Sequence, residues 1–539
     1  MAASPHGDGD LLRQVVRRRT FAIISHPDAG KTTLTEKFLL YAGAVQEAGA
    51  VKSRKHARTA VSDWMALEQE RGISITSTVL GFDYSDWRFN LLDTPGHADF
   101  SEDTYRTLHA ADAAVMVLDN AKGLEPQTLK LFRVCADRGI PIVTFVNKCD
   151  RPGLPPLQIL DEITEQIGVD PVPLVWPVGD GQELAGLVDR RSGELVRFDR
   201  TAHGASIGAE QREPWADASP GGCPADRWQA AAEELALLDL EESHFDREAF
   251  LAGAHTPVFF GSALANFGVR MLLEGFAELA PPPQPQPVGD AGGRRDVGSA
   301  FSALVFKVQA NMDPNHRDRV AFLRIHSGRF RRGMTVEVAR TRRPFKLSYA
   351  HRLFAAERET VEEAVAGDIV GVTGAGVLRV GDTLYDPEGP PVSYPPIPAF
   401  APERFALLRN RDTARYKQFR KGLAQLEEEG VVHVLRRPDV GDQQPILAGV
   451  GQLQFDVAAW RLSTEFGAKV SLDPAPWELA RRIHPDHAGR LEGRRGAQVV
   501  RGTAGTVVLF TSQFALQFAQ QDHPDIDFAD LGVAPTTRT

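Results

Sequence analysis

Short apolar runs and amphipathic stretches take turns along the first half of the chain. Residues 21–24 read as a strand, and Leu34, Phe38 and Leu39 then mark the apolar face of a helix. Phe89, Leu91 and Leu92 form a second apolar run, and residues 112–118 a third that suits a buried strand. A helix over 127–136, turning Leu129, Leu131, Phe132 and Val134 inward, precedes a strand within 140–146. Ile159, Leu160, Ile163 and Ile167 mark another helix, residues 172–176 another strand, and residues 256–260 the last strand of the unit. This punctuation predicts a mostly parallel sheet with helices on both faces. Two segments break the rhythm. Residues 43–63 carry little periodicity and read as a mobile loop. It runs on through Trp64, Met65, Glu68, Glu70, Arg71 and Gly72 before Ile73, Ser74, Ile75 and Thr76 suggest re-entry into a strand. Residues 177–250 read as a polar, glycine-rich insertion with a strand pair near Leu187 and Val196 and a helix around 228–240.

Residues 1–12 are small and polar and are expected to be disordered, with a first domain over 13–283. Pro281, Pro282, Pro283, Pro285 and Pro287 then stiffen a linker that continues over 284–299. From Phe301 the pattern changes to short alternating runs, such as Leu304, Phe306, Val308 and Val320, Phe322, Ile325, with glycines at turn positions. An antiparallel β-barrel over 300–395 is expected. After Pro395, Pro396 and Pro398, a helix over 412–429, strands over 431–435 and 446–450 and a helix over 453–466 predict an α+β domain over 396–539. Its last part, 476–539, shows one short strand, 506–510, and a helix among basic segments.

Composition narrows this picture. A chain of 539 residues suits three or four domains at about 150 residues each. No run approaches the ~18 apolar residues of a membrane span, so no membrane partner is expected. Arg17, Arg18 and Arg19 precede too short an apolar run for a secretory signal. Cys135, Cys149 and Cys223 have no paired spacing and fit a reducing compartment, so a cytoplasmic monomer is the expectation. A net charge of −10 excludes a general polyanion binder and leaves nucleic-acid contact to local patches. One basic stretch, with Arg317, Arg319, Arg324, Arg329, Arg331 and Arg332, suits either a phosphate-contacting face or a solvated strand face.

The candidate chemistry sits at strand ends. Ser25, His26, Pro27, Asp28, Ala29, Gly30, Lys31, Thr32 and Thr33 lie between the first strand and its helix, the context of a phosphate cradle. Backbone N–H groups would converge on phosphate oxygens, Lys31 would reach the β and γ phosphates, and Thr32 would complete a Mg²⁺ shell. Ser25 stands where such loops usually have glycine, so the turn is expected to differ slightly in shape. After the next apolar strand come Asp93, Thr94, Pro95, Gly96 and His97, where an Asp can hold Mg²⁺ through water and Gly96 can approach a γ-phosphate. Asn147, Lys148, Cys149 and Asp150 follow another buried strand. A carboxylate at Asp150 accepts from N1 and the exocyclic amine of guanine, which adenine does not offer. Backbone N–H groups at Ser262 and Ala263 are expected to reach the guanine O6. Ser74 is the candidate Mg²⁺ ligand that orders the preceding loop, with Thr76 second. Each motif is weak alone; the three in this order point to GTP and GDP.

Together SHPDAGKTT, SDWMALEQERGISIT, NLLDTPGHADFSEDTYRTL, NKCD, TPVFFGSALANFGV and FKVQANMDPNHRDRVAF resemble the bacterial peptide chain release factor three family, from about Arg17 to the C-terminal helix. The resemblance implies a multidomain α/β protein: a P-loop GTPase domain with a parallel sheet, then an antiparallel β-barrel, then an α+β domain. It implies a Mg²⁺-dependent GTPase that acts on ribosomal RNA and proteins at termination and promotes release of class one release factors. By position His97 corresponds to the histidine that orients the attacking water, Ser74 to a Mg²⁺-binding threonine, and Cys149 to a commonly apolar residue. Ser25 is then a family trait. The last 50 or so residues match less well. An elongation factor G-like translocase is the alternative, disfavoured because the chain stops soon after a third domain. A regulatory module with little turnover is disfavoured by Lys31, Thr32, Asp93 and His97, and an ATP-dependent enzyme by Asn147 and Asp150.

Overall fold

Strand β1 (Arg18–Ser25) lies in the middle of the N-terminal sheet in this computed structural model, paired in parallel with β3 (Trp87–Asp93) and β4 (Ala113–Asp119). The described residues are 5–44, 68, 74–199, 206–221, 223–240, 244–289, 293–310, 319–354, 357–397, 401–503 and 505–531. Beyond β4 come β5 (Ile142–Asn147), β11 (His255–Phe260) and β6 (Asp170–Pro173), all parallel, and β2 (Thr78–Tyr84) pairs antiparallel with β3. The side chains of β1 alternate between two cores, as a strand covered on both faces requires. Phe21 and Ile23 meet Leu34 and Phe38 of helix α2 (Lys31–Tyr41) and Phe276 of the helix Val269–Leu279. Ala22 and Ile24 share the opposite core with Leu131 of the helix Pro126–Asp137 and Ile159 of the helix Pro156–Ile167.

Four expectations about elements change. Residues 5–16 form a helix, α1 (Pro5–Val16), rather than a disordered arm, because Leu11 and Val15 recur one turn apart and pack on Val365 and Ala366. The strand expected at 73–76 begins only at Thr78, and Trp64, Met65, Glu70, Arg71, Gly72 and Ile73 lie outside the described residues, as does most of the loop expected at 43–63. The strand expected over 172–176 divides at Leu174. β6 closes the parallel sheet, while β7 (Val175–Val178) opens a separate antiparallel sheet with β8 (Gly186–Asp189), β9 (Glu194–Phe198) and β10 (Glu210–Pro214). An unbroken apolar run carries no period that could reveal such a division. This sheet and the helix Ala225–Leu240 make up most of the expected insertion. The linker contains a short hairpin, β12 (Gln286–Val288) and β13 (Gly293–Arg295).

The second domain is a curled antiparallel sheet made of β14 (Ser302–Ala310), β15 (Arg319–Ser327), β17 (Thr335–Val338), β18 (Arg343–Lys346), β19 (Ala350–Phe354), β20 (Glu357–Thr360), β22 (Ile369–Thr373) and β23 (Thr383–Tyr385), with β16 (Arg329–Arg331) and β21 (Glu363–Val365) paired as a separate two-stranded ribbon. Phe301, Val305, Leu323, Val336 and Leu384 fill its interior. One backbone bridge, Leu80 to Phe354, joins β2 to β19, so the sheets of the first two domains run into each other. The arginine-rich stretch is not one face: Arg331 and Arg332 are exposed, as a solvated face would have them, and the other described arginines are half-buried or buried in ion pairs. Arg324 is buried and pairs with Asp112 of the first domain at 2.5 Å. Arg319 pairs with Glu428 at 2.6 Å, Arg329 with Glu363 at 2.9 Å and Arg332 with Glu362 at 2.7 Å, while Arg317 lies outside the described residues.

The C-terminal region holds two sheets. β24 (Arg404–Asn410), β25 (His433–Leu435), β26 (Ile446–Gly449) and β27 (Val470–Pro474) pack under the helices Tyr416–Glu429 and Gln452–Thr464, close to the elements expected. Where 476–539 showed one strand, β28 (Leu479–Arg482), β29 (Ala497–Gly502), β30 (Gly505–Phe510) and β31 (Ala529–Asp530) form a second antiparallel sheet. The basic residues in β28 and β29 interrupt their alternation and hide them from a hydrophobic pattern.

Candidate nucleotide-binding site

Residues 26–30 turn between β1 and α2, with Asp28 at φ 67° and Gly30 at φ 101°. A side chain on Gly30 would overlap the Asn147 amide as well as strain the backbone. Asn147, at the end of β5, knits three loops together. Its Nδ2 donates to Ala29 O at 2.7 Å, and its Oδ1 accepts the N–H groups of Lys148 and Ala263, each at 2.8 Å. Lys148 adds a second tie, donating to Asp28 O at 2.6 Å and pairing with Asp119 at 2.7 Å. The Ser25 hydroxyl donates to His26 O at 2.9 Å, so the residue that replaces glycine closes the loop on itself. His26 is buried, with Nε2 3.2 Å from Glu125; burial lowers its pKa, Glu125 opposes this, and the net direction is down.

These loops enclose a cavity of about 410 Å³ bordered by Lys31, Thr32, Ser74, His97 and Asp150. Lys31 Nζ lies 2.5 Å from Asp93 Oδ1, both buried. Thr94 sits behind the cavity and donates to Ile23 O at 2.8 Å. Ser74 borders the cavity, whereas the Thr76 N–H and hydroxyl turn to Glu68 at 3.0 and 3.3 Å. Asp150 Oδ1 is a buried acceptor without a hydrogen-bond partner among the described residues. A guanine's N1–H and amine would satisfy such an oxygen, which is otherwise costly to bury. His97 is 39% exposed; its Nδ1 accepts the Asp99 N–H at 3.2 Å and lies 3.4 Å from Asp99 Oδ1. Among the described residues no three His, Cys, Asp or Glu side chains gather as a metal site. The hydroxyls of Thr32 and Ser74 fit a Mg²⁺ ion that takes most of its ligands from phosphate and water.

Three expected contacts are placed differently. The Cys149 side chain points into the core, where burial pushes its thiol up to about 12. The Ser262 N–H donates to Phe267 O at 2.9 Å and the Ala263 N–H to Asn147, so neither is turned to the cavity. Leu264, the next residue, borders it instead, as does Arg151 directly after Asp150. Both lie one step beyond a motif, and extending each motif by a residue would have found them.

Residues 16–282 match the family model described as Elongation factor Tu GTP binding domain, and residues 300–387 that of Elongation factor G domain 2. Residues 394–520 match Class II release factor RF3, C-terminal domain. A Peptide chain release factor 3 of Synechocystis sp. is 48% identical over 98% of this chain and 97% of its own. The chain belongs to the peptide chain release factor 3 family. A relative of that name from Gloeobacter violaceus is 49% identical over 97% of this chain and 98% of its own, and one from Symbiobacterium thermophilum 48% over 96% and 98%. As a peptide chain release factor 3 family member, the protein is a GTPase and a translation termination factor. A crystal structure from Thermus thermophilus shares the fold, with a TM-score of 0.67 at 24% identity over 90% of this chain and 71% of that one. No helix among the described residues is long and apolar enough to cross a membrane.

Proposed function

We propose that the cavity binds GTP and GDP with Mg²⁺, and that the ribosome triggers hydrolysis as the protein promotes departure of class one release factors. The unpartnered carboxylate oxygen of Asp150, held beside loops that Asn147 ties together, carries the guanine assignment. Lys31 binds the β and γ phosphates; its ammonium, now paired with Asp93, would exchange that carboxylate for phosphate oxygen, and Asp93 would be one of the residues to hold the metal through water. The metal, held through Thr32 and Ser74, supplies charge neutralisation on the phosphates. His97 orients the attacking water, and the transfer needs positioning more than covalent help.

The C-terminal match at 394–520 favours termination over translocation. A cytoplasmic monomer that meets ribosomal RNA and proteins completes the reading. The test is GTP turnover by the purified protein with and without 70S ribosomes, with ATP as control. Stimulation by ribosomes with GTP alone supports it, followed by loss of class one factors from terminated ribosomes. Turnover indifferent to ribosomes defeats the ribosomal part and leaves the guanine site standing.

A further inference from the structure

One carboxylate of the GTPase domain reaches two places at once. Asp99 Oδ1 lies 3.4 Å from His97 Nδ1, while Oδ2 accepts the Leu453 N–H at 2.7 Å. Leu453 belongs to the first turn of the helix Gln452–Thr464, where N–H groups have no partner within the helix. The residue before that helix is Gly451, which has no side chain with which to cap it. Asp99 supplies the cap from another domain. A Cβ on Gly451 would overlap the Asp99 carboxylate, although its φ of −143° is open to any residue; glycine is there for room.

The residues beside Asp99 face the same C-terminal unit. Phe100 is buried with Ile75 and Val457, and Leu453 and Trp460 pack against that cluster. Glu102 is buried, paired with Arg106 and 3.4 Å from His433, and Arg106 donates to Gly430 O at 3.2 Å. The segment that carries His97 is therefore seated on the C-terminal unit. The residues that hold the nucleotide, Lys31, Asn147 and Asp150, make no part of that seat.

We propose that Asp99 is a positioning residue for GTP hydrolysis: its backbone N–H holds His97 Nδ1 while its carboxylate caps the helix of the docked C-terminal unit. His97 is then set for reaction only while that unit is docked. The proposal rests on the role given to His97 above. Once the Asp99 carboxylate no longer holds the helix, the segment that carries Asp99 and His97 loses its seat and the half-exposed imidazole spreads over its rotamers, which lowers kcat and leaves nucleotide binding alone.

The test uses the full chain on 70S ribosomes, reading GTP turnover as kcat and KM together with affinity for a fluorescent GDP. Asp99→Ala is expected to lower stimulated kcat about tenfold or more with GDP affinity within about twofold, the latter also reporting that the domain is folded. Asp99→Asn keeps an oxygen for the Leu453 N–H and leaves the backbone N–H on His97 Nδ1, so it should recover most of the rate. Gly451→Ala should reproduce the loss with His97 and Asp99 both intact. In a His97→Ala background, Asp99→Ala should have no further effect. Wild-type kcat in Asp99→Ala or Gly451→Ala, or an additive loss in the double variant, overturns the proposal while an inactive His97→Ala upholds the catalytic reading. Wild-type turnover in His97→Ala removes that reading, and this proposal falls with it.

Discussion

Lys31 and His97 border the same cavity, and the function proposed above gives them separable work. Lys31 is buried at the cavity, and on the function proposed above Lys31→Ala removes the main counter-charge to the phosphates and is expected to weaken GDP binding at least 100-fold, read by fluorescent titration. The His97 ring meets Asp99 and Phe100, and the loops around the cavity are tied by Asn147 and Lys148 instead. His97→Ala should bind GDP normally and lose the ribosome-stimulated rate; equal turnover would remove its catalytic role. Asp150 offers a third test at this scale. Asp150→Asn replaces an acceptor with a group that can donate, so preference should move from guanine towards xanthine nucleotides, by about 1–3 kcal/mol of relative affinity. Competition between GTP and XTP reads it directly.

At the scale of elements, Asn147 shows how three loops from distant parts of the chain become one site. Asn147→Ala strips the partner from Ala29 O and from the N–H groups of Lys148 and Ala263. Each is buried or nearly so, and the loss should destabilise the domain by about 1–3 kcal/mol. Thermal unfolding with and without GDP measures it, and the nucleotide-bound protein should suffer most. Much of this was legible beforehand, because phosphate and base contacts lie at the ends of strands whose apolar runs stand out. The turn 26–30, Asp93 at the end of β3 and Asn147 at the end of β5 all fall where those runs stop. What escaped lay where the pattern is silent. Leu174 divides two strands inside one apolar run, and β28 and β29 are written in arginine as much as in apolar residues. The Ser262 and Ala263 N–H groups looked available because no sequence reveals that Phe267 and Asn147 already hold them.

For the whole molecule, the seat between the GTPase domain and the C-terminal unit should respond to pH. Burial alone would push Glu102 up, but Arg106 and His433 together hold it down to about 2. Burial would push His433 down, yet Glu102 outweighs it and the net direction is up. The Glu102 contribution is present above its unfolded value of about 4.3 and fades as pH falls towards 2. The His433 contribution is full below its unfolded value of about 6.5 and fades as pH rises through the raised folded value. Docking should therefore be firmest between about pH 4.5 and 6.5 and loosen above that range. Protection of the helix Gln452–Thr464 from hydrogen exchange, compared at several pH values after correction for the intrinsic rate, follows it; His433→Gln should flatten the alkaline limb.

The bridge from Leu80 to Phe354 has a further meaning. Without it β2 would be the outermost strand of its sheet, a border of bare N–H and C=O groups able to template another copy. β19 of the barrel pairs with that border at Leu80. A GTPase domain severed at the proline-rich linker would keep every residue of its cavity and lose that pairing, so residues 13–283 alone should self-associate where the full chain does not, and sedimentation at rising concentration reads the difference. Seen this way, the second domain protects the first from its own kind before it meets anything else.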